Sequence, residues 1–236
     1  MTRQLTAWLP TSPCTPRCAT SPEPPVSWFR AMGRAAAAIR PILRRDAASL
    51  LRALGVELTS TMDRLSAGRG TLVVANHVSW LDIPALLAVE PLRLLAKREV
   101  ADWPLIGAMA RRSGTIFIER DNLRSLPVTV AALADTLRSG CPVLVFPEGT
   151  TWCGREMGVF RRAAFQAALD ADAPVRPVTI RYSTPVAAYV GDDALTTSLV
   201  RVARAGDLRV HLTAHPLVHG ADRRELAAAA RRSIDA

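Results

Sequence analysis

The chain has 236 residues, of which 49% are hydrophobic and 22% charged. This composition supports one domain with a buried core and excludes a chain that is disordered throughout. The net charge of +9 favours an anionic partner: a membrane surface, a phosphorylated substrate or a nucleic acid.

The N-terminal quarter divides into two segments. Residues 1–25 are rich in Pro, Ser and Thr, which is typical of a disordered tail. Residues 26–55 carry apolar side chains at three- and four-residue steps among arginines, which predicts two amphipathic helices broken at Pro41. Such helices either pack on the domain or lie in a membrane interface with their arginines at anionic headgroups. The longest uncharged stretch, residues 4–16, is polar and too short to span a bilayer, and a signal peptide is not expected.

Residues 56–220 alternate short β-rich runs with helical stretches, and residues 221–236 form a C-terminal helix. The alternation predicts an α/β fold with a mostly parallel central sheet flanked by helices, preceded by the N-terminal amphipathic helix pair. The expected strands are Leu72–Ala75, Leu92–Ala96, Thr115–Ile118, Val143–Phe146, Val175–Tyr182 and Leu208–Ala214. The expected helices are Ile83–Glu90, Trp103–Arg112, Ser125–Ser139, Val159–Asp170, Asp192–Arg204 and Arg223–Ile234.

The strongest chemical signal lies between the first of these strands and the first helix. His77 and Asp82 are five residues apart, so they meet only if His77 precedes the helix and Asp82 lies in its first turn. Asp82 would then accept a hydrogen bond from Nδ1–H of His77 and leave Nε2 free as a base. No G-x-S-x-G sequence supplies a serine nucleophile. A helix-capping or core arrangement is the alternative.

Two further segments deliver polar groups to the same expected edge of the sheet. A buried strand ends in Pro147-Glu148-Gly149, which places a carboxylate and backbone N–H groups where α/β proteins bind ligands. The Thr115–Ile118 strand leads to Arg120, whose guanidinium suits a phosphate or, alternatively, a surface ion pair.

The remaining signals are weaker. Val175–Ile180 is interrupted by proline, which predicts either an edge strand or the wall of a slot for an acyl chain. The four cysteines have neither the spacing of a metal site nor that of a disulfide framework. His211, His215 and His219 are four residues apart, but Leu208–Leu217 alternates like a strand, and steps of four along a strand are too long for one metal ion.

Four blocks together resemble the phospholipid/glycerol acyltransferase family. They occur in the family's order, as N-H-x-x-x-x-D, G-x-x-F-I-x-R, F-P-E-G-T and a Val/Pro-rich block, at Asn76–Asp82, Gly114–Arg120, Phe146–Thr150 and Val175–Ile180. The resemblance covers residues 55–215. It implies transfer of a fatty acyl group from acyl-CoA or an acyl-carrier protein to the hydroxyl of a lysophospholipid, first of all lysophosphatidic acid.

The resemblance also implies a role for each matched residue. His77 would be the general base and Asp82 would orient it, with direct attack on the thioester and no acyl-enzyme. The acceptor would contact Asn76, Arg120, Glu148, Gly149 and Thr150, and the acyl chain would contact Val175, Pro177 and Val178. No metal or bound cofactor is implied, because the thioester is a substrate.

Some alternatives stay open. Ser79–Pro84 resembles members that acylate other lyso-lipids, including lyso-ornithine lipid. A lipid hydrolase could use the same His–Asp pair, and a basic nucleic-acid-binding protein would fit the charge, although no motif supports nucleic-acid binding. The expected location is the cytoplasmic face of the cell membrane, as a peripheral or monotopic protein on anionic lipids.

Overall fold

The computed structural model describes residues 10–21, 24–44, 46–68, 70–103, 106–120 and 122–236. Its helices are α1 Trp28–Arg44, α2 Ala47–Leu54, α3 Asp82–Val89, α4 Ile106–Arg112, α5 Leu126–Arg138, α6 Ala163–Asp170, α7 Leu195–Ala203 and α8 Arg223–Asp235. Its strands are β1 Val56–Ser60, β2 Leu72–Ala75, β3 Arg93–Lys97, β4 Ile116–Ile118, β5 Val143–Val145, β6 Val175–Tyr182 and β7 Leu208–Ala214.

The seven strands form one sheet in the order β1-β7-β6-β2-β5-β3-β4. All neighbouring strands are parallel except β6 and β7, which are antiparallel. The predicted α/β fold with a mostly parallel sheet is therefore confirmed. Because β2, β4, β5 and β6 run in one direction, the residues that follow them meet at one edge of the sheet.

Helices cover both faces of the sheet, and the alternation of side chains along β2 shows how. Val73 and Ala75 point into a core shared with α2, α3 and α7, whereas Leu72 and Val74 point into a core shared with α5, α6 and α8. All four side chains are fully buried. The result is a three-layer sandwich in which β2 is covered on both faces, as its uninterrupted apolar sequence requires.

Strand β1 was not predicted. Its burial pattern places Val56 in the core and leaves Glu57 exposed, and it pairs in parallel with β7, from Val56 opposite Leu208 to Ser60 opposite Leu212. Only this pairing with a strand far along the chain distinguishes residues 56–60 from a loop. The other predicted strands and helices are present, with ends shifted by a few residues.

Helix α1 packs on the domain through small residues. Ala31 and Ala38 are buried, and Arg34 donates from Nη1 to the carbonyls of Ala203 and Ala205 at 3.0 and 2.6 Å. Pro41 lies inside α1 rather than at its end, and the predicted break comes instead before Asp46, whose side chain caps α2. None of the described helices combines the length and apolar character needed to cross a membrane.

The predicted disordered tail differs from the structure over residues 10–21. Here a 3-10 turn, Pro16–Ala19, buries Ala19, and Cys14 is buried beside Val78, Ala188 and Val190. The small apolar side chains of Cys14 and Ala19 make this contact possible within a segment of otherwise polar composition. Residues 1–9, 22 and 23 lie outside the described residues.

Candidate active site

The predicted polar residues meet where β2, β4, β5 and β6 end. His77 follows β2, Arg120 follows β4, Glu148 follows β5, and Tyr182 is the last residue of β6. The backbone N–H of Trp152 donates to the His77 carbonyl at 2.7 Å, which joins the loop after β5 to the loop after β2.

His77 and Asp82 are in direct contact, with Nδ1 of His77 2.8 Å from Oδ2 of Asp82. The same oxygen accepts hydrogen bonds from the backbone N–H groups of Val78 and Ser79 at 2.7 and 2.9 Å, because Asp82 begins α3 directly after a tight turn. Because Oδ2 of Asp82 already accepts hydrogen bonds from two N–H groups, it is an acceptor toward His77 as well. Nδ1 of His77 therefore carries the hydrogen and donates it. The basic lone pair of the neutral ring is then on Nε2.

Nε2 of His77 has no hydrogen-bond partner among the residues that the structure describes. The His77 side chain is 19% exposed, whereas that of Asp82 is fully buried. The geometry therefore presents Nε2 to an incoming group and holds the carboxyl group of Asp82 behind the ring, away from water.

Tyr182 holds the second oxygen of Asp82, donating from its hydroxyl to Oδ1 at 2.6 Å. Burial, together with the charge of Asp82, raises the pKa of Tyr182 well above its usual range, so the hydroxyl keeps its proton. The sequence reasoning did not identify this residue. A signal was present, because Tyr182 ends a strand at the same edge of the sheet, but it lies 100 residues from Asp82.

Phe146 stacks on the imidazole of His77, with ring centroids 4.0 Å apart and planes inclined by 13°. Asp82 fixes the edge of the imidazole and Phe146 covers one of its faces. This contact was also missed, since Phe146 was noted only as part of its motif.

Glu148 connects the loop after β2 to the loop after β5. Its Oε2 accepts from the backbone N–H of His77 at 2.7 Å, and its Oε1 accepts from the backbone N–H of Gly158 at 2.8 Å. Burial raises the pKa of Glu148 to about 7, although both N–H groups favour the charged carboxylate. One oxygen therefore holds the backbone of His77 and the other holds that of Gly158.

Arg120 fixes the turn that follows Glu148, because its Nη1 donates to the carbonyl of Gly149. Burial lowers the pKa of Arg120 to about 10, with the charge of Glu99 opposing the shift and that of Arg161 adding to it, so the guanidinium is still charged at neutral pH. Gly149 has φ +75°, in the left-handed region, and a Cβ there would lie 2.8 Å from Pro10 of the N-terminal segment. Thr150 is half-buried directly after this turn.

Asn76 differs from its predicted role as an acceptor-binding residue. Its Nδ2 donates to the Ile180 carbonyl at 3.0 Å, and its Oδ1 accepts from the Ile180 N–H at 2.7 Å. The side chain thus continues the β2–β6 pairing one residue beyond β2, and it fixes the start of the His77 turn from within the structure.

The predicted acyl-binding residues also occupy different surroundings. Val175, Pro177 and Val178 are buried on β6, which lies between β2 and β7 and is not an edge strand. Val175 belongs to one core and Val178 to the other, so the three side chains face opposite sides of the sheet. They contribute to the core rather than to one wall of a slot.

The histidines on and after β7 have separate partners. His211 Nδ1 is 2.7 Å from the Thr59 hydroxyl, and His215 Nε2 is 2.7 Å from the Thr179 hydroxyl.

A family model described as Acyltransferase matches residues 58–181. The chain is 40% identical over 170 residues to a lyso-ornithine lipid O-acyltransferase of Pseudomonas aeruginosa, which covers 69% of this chain and 66% of that protein. It is 45% identical over 113 residues to a 1-acyl-sn-glycerol-3-phosphate acyltransferase of Neisseria gonorrhoeae, which covers 48% of this chain and 44% of that protein. Both alignments thus take in less than two thirds of the relative's length.

The fold has a counterpart among solved structures. The crystal structure of PlsC, the 1-acyl-sn-glycerophosphate (LPA) acyltransferase of Thermotoga maritima, superposes with a TM-score of 0.64 and 21% sequence identity. The match covers 87% of this chain and 83% of that one. At this identity the likeness concerns the fold.

Proposed function

This chain belongs to the acyltransferase family, and on that premise we propose that it transfers a fatty acyl group from a thioester to the hydroxyl of a lyso-lipid. The observation that carries the proposal is the free Nε2 of His77, held by the Asp82 contact on the opposite nitrogen. A partly exposed base above a buried carboxylate suits the removal of a proton from an alcohol.

The proposed reaction proceeds in one attack and one collapse. Nε2 of His77 takes the hydroxyl proton while the acceptor oxygen forms a bond to the thioester carbonyl carbon. The tetrahedral intermediate then collapses, the C–S bond breaks, and the imidazolium gives the proton to the departing thiolate. Asp82 stabilises the imidazolium between these steps. Tyr182 holds the carboxylate of Asp82 in place, and Phe146 holds the imidazole of His77.

Direct transfer without an acyl-enzyme is supported by the surroundings of His77. In the part of the chain that the structure describes, no serine or cysteine is hydrogen-bonded to Nε2, so no nucleophile of the protein is activated there. The acceptor alcohol itself is the group that His77 is placed to deprotonate.

Lysophosphatidic acid is the acceptor that we propose first. Arg120 is a half-buried cation at the turn after Glu148, and its surroundings include Glu99, which raises its pKa, and Arg161, which lowers it. Two guanidinium groups at one edge favour an acceptor with a phosphate. Lyso-ornithine lipid is the second candidate, because the relative of that name aligns with 69% of this chain, against 48% for the relative named for glycerol phosphate.

The proposed partners include an anionic membrane surface and a thioester donor, acyl-CoA or acyl-carrier protein. Support for the membrane comes from α1, where Trp28, Phe29, Met32 and Ile39 are between 55% and 90% exposed. Such side chains, beside arginines and on a helix too short to span a bilayer, suit insertion into a lipid interface. We propose that the protein works at the cytoplasmic face, where the thioester donors are found.

The experiment is acyl transfer by the purified chain on liposomes. Labelled long-chain acyl-CoA or acyl-carrier protein is offered with lysophosphatidic acid, with lyso-ornithine lipid, or with no acceptor. We expect labelled phosphatidic acid. Product formed only with lyso-ornithine lipid would identify that lipid as the acceptor and leave the proposed reaction unchanged. Free fatty acid released equally with and without acceptor would indicate a hydrolase and overturn the proposal, as would the absence of product with both donors.

A further inference from the structure

Three cysteines from distant parts of the sequence meet beside the candidate active site. Cys14 and Cys18 belong to the N-terminal segment, and Cys153 lies in the loop after Thr150. Their Sγ atoms all lie within 4.8 Å of one another. Cys14 is buried and the other two are half-buried, and all three are free thiols. No complete set of metal ligands is visible in the sequence, because only Cys14 and Cys18 are close together and Cys153 is far along the chain.

The backbone around the three sulfurs is fixed. Cys18 donates from its N–H to the Thr15 carbonyl at 2.9 Å, and Cys14 donates from its N–H to the Ser12 hydroxyl at 3.2 Å. The N–H of Cys153 points at Sγ of Cys14, 3.3 Å away. A backbone N–H directed at a sulfur stabilises negative charge on it, which is the form of cysteine that binds metals.

The spacing of the sulfurs suits one zinc ion. With Zn–S bonds of about 2.3 Å, three sulfurs around one ion are separated by about 3.8 Å, so small side-chain rotations would suffice. Cys14 and Cys18 form a C-x3-C pair, within the range of ligand spacings found at zinc sites.

We propose that Cys14, Cys18 and Cys153 bind one Zn²⁺ ion through three thiolates, with water as the fourth ligand. Among the described residues, no fourth His, Cys, Asp or Glu joins this group. Each thiol that becomes a ligand releases its proton to solvent, so zinc binding lowers the pH of an unbuffered solution and weakens in acid.

The site would fasten the N-terminal segment onto the edge of the sheet. Cys153 directly follows Trp152, whose N–H donates to the His77 carbonyl, and Pro10 of the same segment lies against Gly149. A zinc ion would thus join residues 14–18 to the loop that holds the backbone of His77. The inference is independent of the acyl-transfer proposal, because metal binding is measured without turnover.

The test is metal binding to the full-length purified chain. After incubation with Zn²⁺ and dialysis, we expect one equivalent of zinc by mass spectrometry, and with Co²⁺ we expect intense sulfur-to-cobalt absorption in the near ultraviolet. Cys14→Ser, Cys18→Ser and Cys153→Ser should each weaken zinc binding by more than the roughly 10–100-fold typical of losing an outer-shell group. Cys141→Ser is the matched control, since Cys141 precedes β5 at the opposite end of that strand, and it should bind zinc as the wild type does.

Trypsin provides a second measurement. Arg17 is exposed between the two N-terminal cysteines, so zinc should slow cleavage after Arg17 in the wild type and leave the rate in Cys153→Ser unchanged. The cobalt spectrum needs no variant and decides even if a variant fails to fold. Absence of the cobalt–sulfur band, or zinc binding that survives all three substitutions, would overturn the proposal. A disulfide among these cysteines in the protein prepared under reducing conditions would overturn it also.

Discussion

Asp82 is the residue on which the candidate site depends. Its two buried oxygens accept from Val78, Ser79, His77 and Tyr182. Both oxygens of this buried carboxyl group are therefore hydrogen-bonded. One of them faces the imidazole, which is the group that gains a proton in the proposed reaction.

Tyr182→Phe should reduce activity without unfolding the protein. The change removes the hydroxyl that donates to Oδ1 of Asp82 and leaves a buried carboxylate oxygen without that donor. We expect a loss of about 1.5–3 kcal/mol in the free energy of unfolding and a fall in kcat with little change in KM. Chemical denaturation and acyl-transfer kinetics measure the two effects.

Tyr189→Phe is the matched control for this prediction. Tyr189 is the other tyrosine of the chain, and its backbone N–H, rather than its hydroxyl, contacts the site by donating to the Val78 carbonyl. If Tyr182→Phe and Tyr189→Phe lower kcat equally, the contact between Tyr182 and Asp82 has no part in catalysis.

Glu148→Gln should remove one component of the pH dependence of stability. The pKa of Glu148 is about 7 in the folded chain, above the value of about 4.3 in an unfolded one. Its stabilising contribution is therefore complete below pH ~4.3 and is lost as the pH rises through about 7. Between pH ~5 and ~8, the free energy of unfolding of the variant should therefore rise by up to about 3 kcal/mol relative to that of the wild type.

Glu90→Gln is the control, measured by denaturation at the same two pH values. Burial favours protonation of Glu90, but hydrogen bonds from Ser66, Arg64 and Leu65 outweigh it and lower the pKa. The stabilising contribution of Glu90 is thus lost only in more acidic solution. The difference in free energy of unfolding between Glu90→Gln and the wild type should therefore be the same at both pH values. A constant offset for Glu148→Gln as well would contradict the raised pKa.

The sequence identified the residues of the site that stand in contiguous motifs. His77 and Asp82 share one turn, so their contact follows from local geometry, and Glu148 and Arg120 follow strands that end at one edge. Tyr182 and Phe146 were missed because only the sheet brings them to His77 and Asp82. Asn76 was predicted to contact the acceptor. Its burial and its two hydrogen bonds to Ile180 were not visible in the sequence, because both depend on strand pairing.

At the scale of secondary structure, β6 contains Pro177 and yet is not an edge strand of the sheet. Pro177 lacks an N–H, yet its carbonyl accepts from the His215 N–H at 2.9 Å, and it is paired with Val74 of β2. The strand tolerates one missing donor because it pairs with β2 from Val175 to Val178 and with β7 from Val178 to Tyr182. A proline therefore weakens the prediction of a central strand without excluding it.

Helix α1 has two faces with different surroundings. Alanines and Arg34 face the domain, whereas Phe29 and Met32 are 90% and 67% exposed. Substituting both with serine removes apolar surface that is mostly exposed to solvent. We expect stability to change by less than about 0.5 kcal/mol and affinity for anionic vesicles to fall at least about tenfold, as measured by co-sedimentation.

Val128→Ser with Val159→Ser is the matched control for α1. These valines are 72% and 76% exposed but lie on α5 and before α6. Their double variant should bind vesicles as the wild type does. Equal losses for the two double variants would mean that α1 is not the contact with the membrane.

At the scale of the whole molecule, the parallel sheet gathers residues from most of the chain at one edge. β2, β4, β5 and β6 contribute His77, Arg120, Glu148 and Tyr182, and the N-terminal segment adds Pro10 and Cys14. The alternation of strands and helices was sufficient to predict this architecture. It could not predict β1 or the packing of residues 10–21, because both depend on contacts between segments far apart in sequence.

The central claim is that His77 acts as the general base of acyl transfer, and the most direct measurement compares His77→Ala with the wild type on liposomes. His211→Ala is the control, since His211 lies on β7 and contacts Thr59. We predict that His77→Ala lowers kcat by at least about 100-fold while its circular dichroism spectrum stays that of the wild type, and that His211→Ala keeps full activity. A folded His77→Ala variant with kcat within a few fold of the wild type would contradict the account.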